Sequence, residues 1–270
     1  MLAACVGSEN KEETLPEEID SGIDVVTDSG AADTDSGIVE EDAGTDAPDA
    51  GPIEEEGFIN IPAGSFVLAH ETGSYSSGDT VTLAAFKLGK TPVTVAEFKK
   101  CVEAGKCTSE HYYTNSTNSS CNYGNDSKAN HPMNCVDWSG AKEYCEWIGG
   151  RLPTEEEWEY ASTHNGTEHL NTAYPWGDDS PTSSTANYNH IVGSTTEVGR
   201  YSPPGDSPLG LVDMAGNVWD WTSSSYSAES SSMVLKGGSW YGNEDYLRVA
   251  FRIDDYPTNR GYLVGFRCAE

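Results

Sequence analysis

Gly150-Arg-Leu-Pro-Thr-Glu-Glu-Glu-Trp-Glu-Tyr-Ala161 contains a fully specified helix start. Thr154, followed three residues later by Glu157, is a capping box: each side chain takes a backbone amide of the other. Trp158 and Ala161 are then expected to point inward. Upstream, Asp137 caps a second expected helix running to Ile148, with Ala141, Cys145 and Ile148 on one face. Farther upstream, Thr94-x-x-Glu97 repeats the box, and Val93 and Phe98 stand as a hydrophobic staple. Outside these helices only short strand-like runs occur, at Phe58–Ile61, Ser65–Leu68, Thr80–Leu83, Val234–Leu235 and Arg248–Phe251. Few helices, short strands and 28 Gly predict a loop-rich α+β fold.

The helices belong to a compact part of the chain that begins near Phe58. All seven Trp, 14 Tyr and six Phe lie from there onward. Residues 1–57 hold 18 Asp/Glu and a single Lys, with Asp-Ser-Gly recurring at Asp20, Asp28 and Asp35. Such a segment has too little apolar surface to offset the entropy of ordering, so it reads as a solvated acidic linker. An EF-hand reading of Asp33, Asp35 and Gly37 fails on spacing. Leu2-Ala3-Ala4-Cys5 precedes this spacer and resembles a bacterial lipobox, although the basic and apolar regions of a signal peptide are missing. The expectation is a chain lipidated at Cys5, held at the bacterial cell envelope, and touching a membrane only through that anchor. No run of 18 apolar residues is present. The net charge of −29 shows no basic face, so nucleic acid is not an expected partner.

Six further cysteines follow: Cys101, Cys107, Cys121, Cys135, Cys145 and Cys268. An even set behind an export signal reads as three disulfides, with fifteen connectivities open. Zinc is disfavoured, because no Cys-x-x-Cys occurs and no His stands at ligand spacing from another. Gly-x-Ser-x-Gly, Walker and His-Glu-x-x-His patterns are also absent, and His70, His111, His131, His164, His169 and His190 are scattered.

The signatures occur in a distinctive order. Phe58-Ile-Asn-Ile-Pro-Ala-Gly-Ser-Phe66 comes first, followed by Lys90-Thr-Pro-Val-Thr-Val-Ala-Glu-Phe98 and His131-Pro-Met-Asn-Cys-Val-Asp-Trp138. The stretch quoted at the outset is next, then Tyr174-Pro-Trp-Gly177 and Gly210-Leu-Val-Asp-Met-Ala-Gly-Asn-Val-Trp-Asp-Trp221. Lys236-Gly-Gly-Ser-Trp240 and Gly265-Phe-Arg-Cys268 complete the series. Residues 58–270 thereby resemble the formylglycine-generating enzyme, or sulfatase-modifying factor, family. The resemblance implies a C-type-lectin-like fold with little regular secondary structure. It also implies a Cys145–Cys268 bridge, which would contribute about 4–5 kcal/mol in the chain-entropy model. Locally, Gly237-Gly238 reads as a tight turn into a strand, and Trp176, Trp219 and Trp221 read as core.

Oxidases of this family use Cu(I) held by two cysteines just after the Gly-Gly-Ser-aromatic motif, since soft thiolates select Cu(I). Here that segment reads Ser239-Trp-Tyr-Gly-Asn-Glu-Asp-Tyr-Leu-Arg248, with Gly242 at the first cysteine position and no Cys between Cys145 and Cys268. Copper is therefore not expected, and no catalytic residue is assigned. The resemblance further implies a structural calcium site in which Asp213 and Asp220 supply carboxylates and Gly216 and Val218 backbone carbonyls. The alternative is that Asp213 caps a turn and Asp220 pairs with an Arg. A second family calcium site matches only at Asn187 and Tyr188. Arg260 and Tyr262 stand as either cleft lining or plain surface.

Two functions remain in view. One is an envelope-tethered binding module without oxidase activity, taking a protein, peptide or glycan ligand. The other is an oxidase, or an enzyme of altered chemistry, acting on a protein substrate in the same cleft.

Overall fold

The computed structural model describes residues 57–69 and 78–270; Cys5, the acidic linker and His70 lie outside them. The three capped helices form where expected. Helix α1 spans Val95–Glu103 and α3 spans Glu155–Thr163, each opened by the full capping box. Helix α2, Trp138–Trp147, is capped by Asp137, which accepts the Gly140 amide at 3.0 Å. Val93 and Phe98 are both buried in one cluster, as a staple requires.

Strand β1 (Phe58–Ile61) pairs antiparallel with β4 (Phe86–Gly89), and β2 (Gly64–Val67) with β3 (Thr80–Leu83). A four-stranded sheet is built from β5 (Trp219–Ser225), β6 (Met233–Lys236), β7 (Arg252–Asp255) and β8 (Val264–Gly265), in the order β7-β6-β5-β8. Its β5–β8 pair is parallel and the other pairs are antiparallel. Short strands, three helices and long connections make this the loop-rich α+β fold that the sequence predicts.

Two local expectations are corrected. Arg248–Phe251 is not a strand: the Phe251 amide bonds back to the Arg248 carbonyl at 2.9 Å, and pairing starts only at Arg252, opposite Lys236. The alternation of Val249 and Phe251 imitates a strand, but the Val249 amide goes to Ala173. Gly237-Gly238 leads out of a strand, β6, rather than into one. Both glycines have positive φ, +91° and +78°, and a Cβ on Gly238 would lie 2.8 Å from the Tyr246 carbonyl. That crowding excludes every other residue there.

The sheet packs its buried Trp219, Trp221 and Leu235 against α1 and α2 through Phe98, Tyr144 and Phe266. A second core gathers Ile59, Ile61, Phe66 and Leu88 around Trp158 and Tyr160 of α3. Residues 268–270 join the two. Ala269 and Arg151 exchange backbone bonds of 2.7 and 2.8 Å, and Gly89 donates to the Cys268 carbonyl at 2.7 Å. The disulfides are Cys101–Cys107, Cys121–Cys135 and Cys145–Cys268. The implied long bridge is present, and two local bridges account for the other four cysteines.

Candidate functional site

The turn after β6 sets the geometry of the site. It delivers Ser239 and Trp240 into the core and leaves Tyr241 51 % exposed, while Gly242 lies under the ring of Tyr246. A Cβ on Gly242 would stand 2.6 Å from that ring, so the position expected to hold a cysteine has no room for one unless Tyr246 moves. Facing this turn is the 187–193 loop, in which Asn189 and His190 adopt positive φ. Asn189 donates to the Gly242 carbonyl at 2.7 Å and His190 to that of Trp240 at 2.9 Å.

The resulting face is aromatic. The His190 ring lies 3.9 Å from Tyr241 and 5.1 Å from Trp240, between centroids, and Tyr262 flanks Trp240 at 6.1 Å. Ile191, Val192 and Tyr246 add 48, 40 and 41 % exposed apolar surface nearby. Tyr262 therefore borders this aromatic face. Arg260 stacks on Tyr113 and pairs with Asp137 at 3.2 Å, so it serves as a surface brace. Trp219 and Trp221 are core, as read, and Trp176 stacks on Tyr174 at 5.3 Å.

Asn217, which the sequence analysis left without a role, is the crossbar of the site. Its Oδ1 accepts the Thr196 amide at 3.0 Å, its Nδ2 donates to the Thr196 carbonyl, and its own carbonyl accepts the Trp240 amide at 3.0 Å. One buried residue thus holds Thr196 through its side chain and the turn after β6 through its backbone carbonyl. A positive φ of 65° at Asn217, next to Gly216, is the local strain that makes this possible.

The four expected calcium ligands do not assemble as a carboxylate pair. Fully buried Arg267 contacts Asp220 Oδ2 through Nε at 2.6 Å, while its terminal nitrogens donate to the Gly89, Val212 and Asp213 carbonyls at 3.1 Å. Trp158 Nε1 takes the same Asp220 oxygen at 2.9 Å. Asp213 is held by the Gly199 amide at 2.9 Å. Gly216 packs on the Asn187 carbonyl and Val218 against Gly265. Only Asp220 Oδ1 is buried without a hydrogen-bond partner in this set. A guanidinium already holds Asp220 and the Asp213 backbone carbonyl, and one spare carboxylate oxygen is far short of the six to eight oxygens that Ca²⁺ takes. The residues do not fit the ion: Asp220 pairs with an Arg, as the alternative had it, but Asp213 accepts the amide of the distant Gly199 rather than capping a turn.

Other buried acids are also paired. Lys236, fully buried, reaches Glu159 at 2.9 Å, and Arg252 reaches Glu155 at 2.8 Å. Burial pushes both glutamates up, opposed by those cations. Burial likewise raises Asp213 to about 6, opposed by the Gly199 amide and Arg267. The native state therefore holds this proton more tightly than the unfolded chain. Its stabilising contribution is complete below about pH 4 and is lost as pH rises through about 6. Asp213→Asn keeps an acceptor and tolerates the positive φ of 51°. Chemical denaturation should show it gaining at most about 3 kcal/mol over wild type near pH 8 and nothing near pH 4.

A family model described as sulfatase-modifying factor enzyme 1-like domain matches residues 45–270. The chain belongs to this family. Among curated relatives, the hercynine oxygenase of Mycolicibacterium thermoresistibile is 31 % identical over 230 residues, covering 70 % of this chain and 51 % of that protein. The inactive C-alpha-formylglycine-generating enzyme 2 of Bos taurus is 38 % identical over 156 residues, covering 53 % and 51 %. The chain thus spans about half the length of these relatives. Among solved structures, PvdO from Pseudomonas aeruginosa superposes with a TM-score of 0.60 at 21 % identity, covering 78 % of this chain and 93 % of that one. Treponema denticola variable protein 1 gives 0.57 at 23 %, with the same coverage. Both share the fold. The sulfatase-modifying-factor domain is thus a scaffold that carries oxygenase and inactive members alike, so function has to be argued from this chain's own site.

Proposed function

We propose that this sulfatase-modifying-factor domain is a non-oxidase binding module, tethered to the cell envelope through Cys5 and the acidic linker, that presents the exposed His190–Tyr241 face, backed by buried Trp240, to a peptide or glycan. One observation carries the reading: all six cysteines among the described residues are in disulfides, so no thiolate pair stands at the copper position. In its place the turn displays exposed aromatic side chains, which supply large contact area at low entropic cost. The relative named inactive supports such a role. The hercynine oxygenase relative keeps an enzymatic reading as the second possibility.

One set of assays separates the two. A Cys-x-Pro-x-Arg peptide incubated with Cu(I), dioxygen and the protein should keep its mass. Conversion to the aldehyde would establish the oxidase reading instead. Peptide and glycan arrays probed with the full chain should give hits that Tyr241→Ala weakens by roughly 30-fold, as for a central aromatic anchor worth about 2 kcal/mol. Hits indifferent to that change would remove the face from the proposal. Palmitate labelling lost on Cys5→Ser is the expected result for the tether, and unchanged labelling refutes it.

A further inference from the structure

Behind the 187–193 loop lies a separate cavity of about 510 Å³, walled by Lys128, His131, Thr195, Thr196, Glu197 and Arg200. Its size is within the range of small-ligand sites. Its charge arrangement differs from that of the rest of the domain. Five cations elsewhere have carboxylate partners: Arg151 with Glu157, Lys236 with Glu159, Arg252 with Glu155, Arg260 with Asp137 and Arg267 with Asp220. Half-buried Lys128 instead lies 3.2 Å from His131 Nδ1 and 3.4 Å from the Thr195 carbonyl. The exposed Arg200 guanidinium lies over the Tyr201 ring, 6.0 Å from its centroid. Among the described residues, no carboxylate comes within ion-pairing distance of either, and Glu197 shares the wall without reaching them.

Lys128, half-buried, and Arg200, exposed, both line this cavity, and among the described residues neither has a carboxylate partner. Desolvating an ammonium without a compensating charge costs free energy. Burial accordingly lowers Lys128, and together with Lys128 it lowers His131 to about 4, leaving that ring neutral at physiological pH. The ring is oriented by the Thr195 hydroxyl at 3.0 Å, and that hydroxyl is in turn held by buried Asn122. The wall is therefore braced from behind, and an anion entering the cavity would supply the missing charge.

We propose that this cavity is an anion-binding site, taking the carboxylate or phosphate of a small organic ligand between Lys128 and Arg200. The site borders the aromatic face at Val192, but neither of its two cations belongs to that face. The two charge-assisted contacts fix the anionic group, and the neutral walls at Thr195 and Thr196 receive the body of the ligand.

Calorimetric titration of the full chain tests this with three probes: glucuronate, glucose 6-phosphate and glucose. Saturable binding of one or both anions is expected, with none for glucose, and the anion that binds distinguishes carboxylate from phosphate. Lys128→Gln and Arg200→Gln should each weaken binding at least about tenfold, as loss of a charge-assisted hydrogen bond does. Lys128→Arg should retain it within a few-fold, and Tyr241→Ala should leave it unchanged. Absence of saturable anion binding, glucose binding as tightly as the anions, or wild-type affinity in both glutamine variants would overturn the site while leaving the aromatic face untouched.

Discussion

Removing the Cys145–Cys268 bridge by paired alanine substitution should lower stability by about 4–5 kcal/mol, the figure for freeing a loop of this length in the chain-entropy model. The two cysteines are separated by 123 residues, much the longest closure among the three disulfides. Cys145 sits in the last turn of α2, and Cys268 begins the segment that pairs with β4 and Arg151. Opening the bridge therefore releases a cross-link between the first half of the domain and its last strand segment. For a domain of this size the loss corresponds to a fall of roughly 10–20 °C in Tm. Calorimetry on wild type and the double variant measures it directly. The Cys101–Cys107 pair closes a separation of only 6 residues, and removing it should cost less. A long-bridge variant that melts within about 2 °C of wild type would show that packing alone holds the C-terminal segment.

Arg267→Met should be nearly as damaging, at about 3–5 kcal/mol, for a different reason. The wild-type guanidinium satisfies Asp220 and the carbonyls of Gly89, Val212 and Asp213 in a site with no exposed surface. Methionine fills most of the volume but leaves Asp220 charged, buried and without its counterion. Adding Asp220→Asn should recover part of the loss, because the orphaned charge is then gone. A double-mutant cycle read by urea unfolding isolates the coupling between the two. Additive effects of the two changes would contradict the pairing. The same measurements address the metal question: an ion held by Asp220 would make wild-type stability rise with calcium and Asp220→Asn abolish that rise, whereas an Arg pair gives no calcium dependence in either.

Much of the frame is local and therefore legible. Thr94, Asp137 and Thr154 mark their helices because a cap is a contact within four residues, and no distant partner is needed to form it. The hairpin partners β2 and β3 also announce themselves, since each has one exposed face and alternates. Strand β5 does not, because Trp219, Asp220, Trp221 and Thr222 are all buried and the alternation vanishes. Its parallel partner β8 is two residues long and has no pattern of its own. Pairing among Cys101, Cys107, Cys121 and Cys135 also depended on where the intervening loop folds.

By itself, then, the sequence determined the family and the starts of three helices, and it shows no Cys between Cys145 and Cys268. Only the tertiary structure decided what Asp213 and Asp220 face. Seven residues apart in a glycine-containing loop, they carry the composition of a calcium site. Arg267, 47 residues beyond Asp220 along the chain, pairs with the Asp220 carboxylate, while the Asp213 carboxylate turns to the Gly199 amide. Asn217 became the crossbar, and Lys128 came to share a cavity with Arg200, for the same reason. A cap is settled by neighbours in sequence, whereas the partner of a buried charge is whatever the folded backbone brings within about 3 Å, and a linear pattern carries no record of that distance.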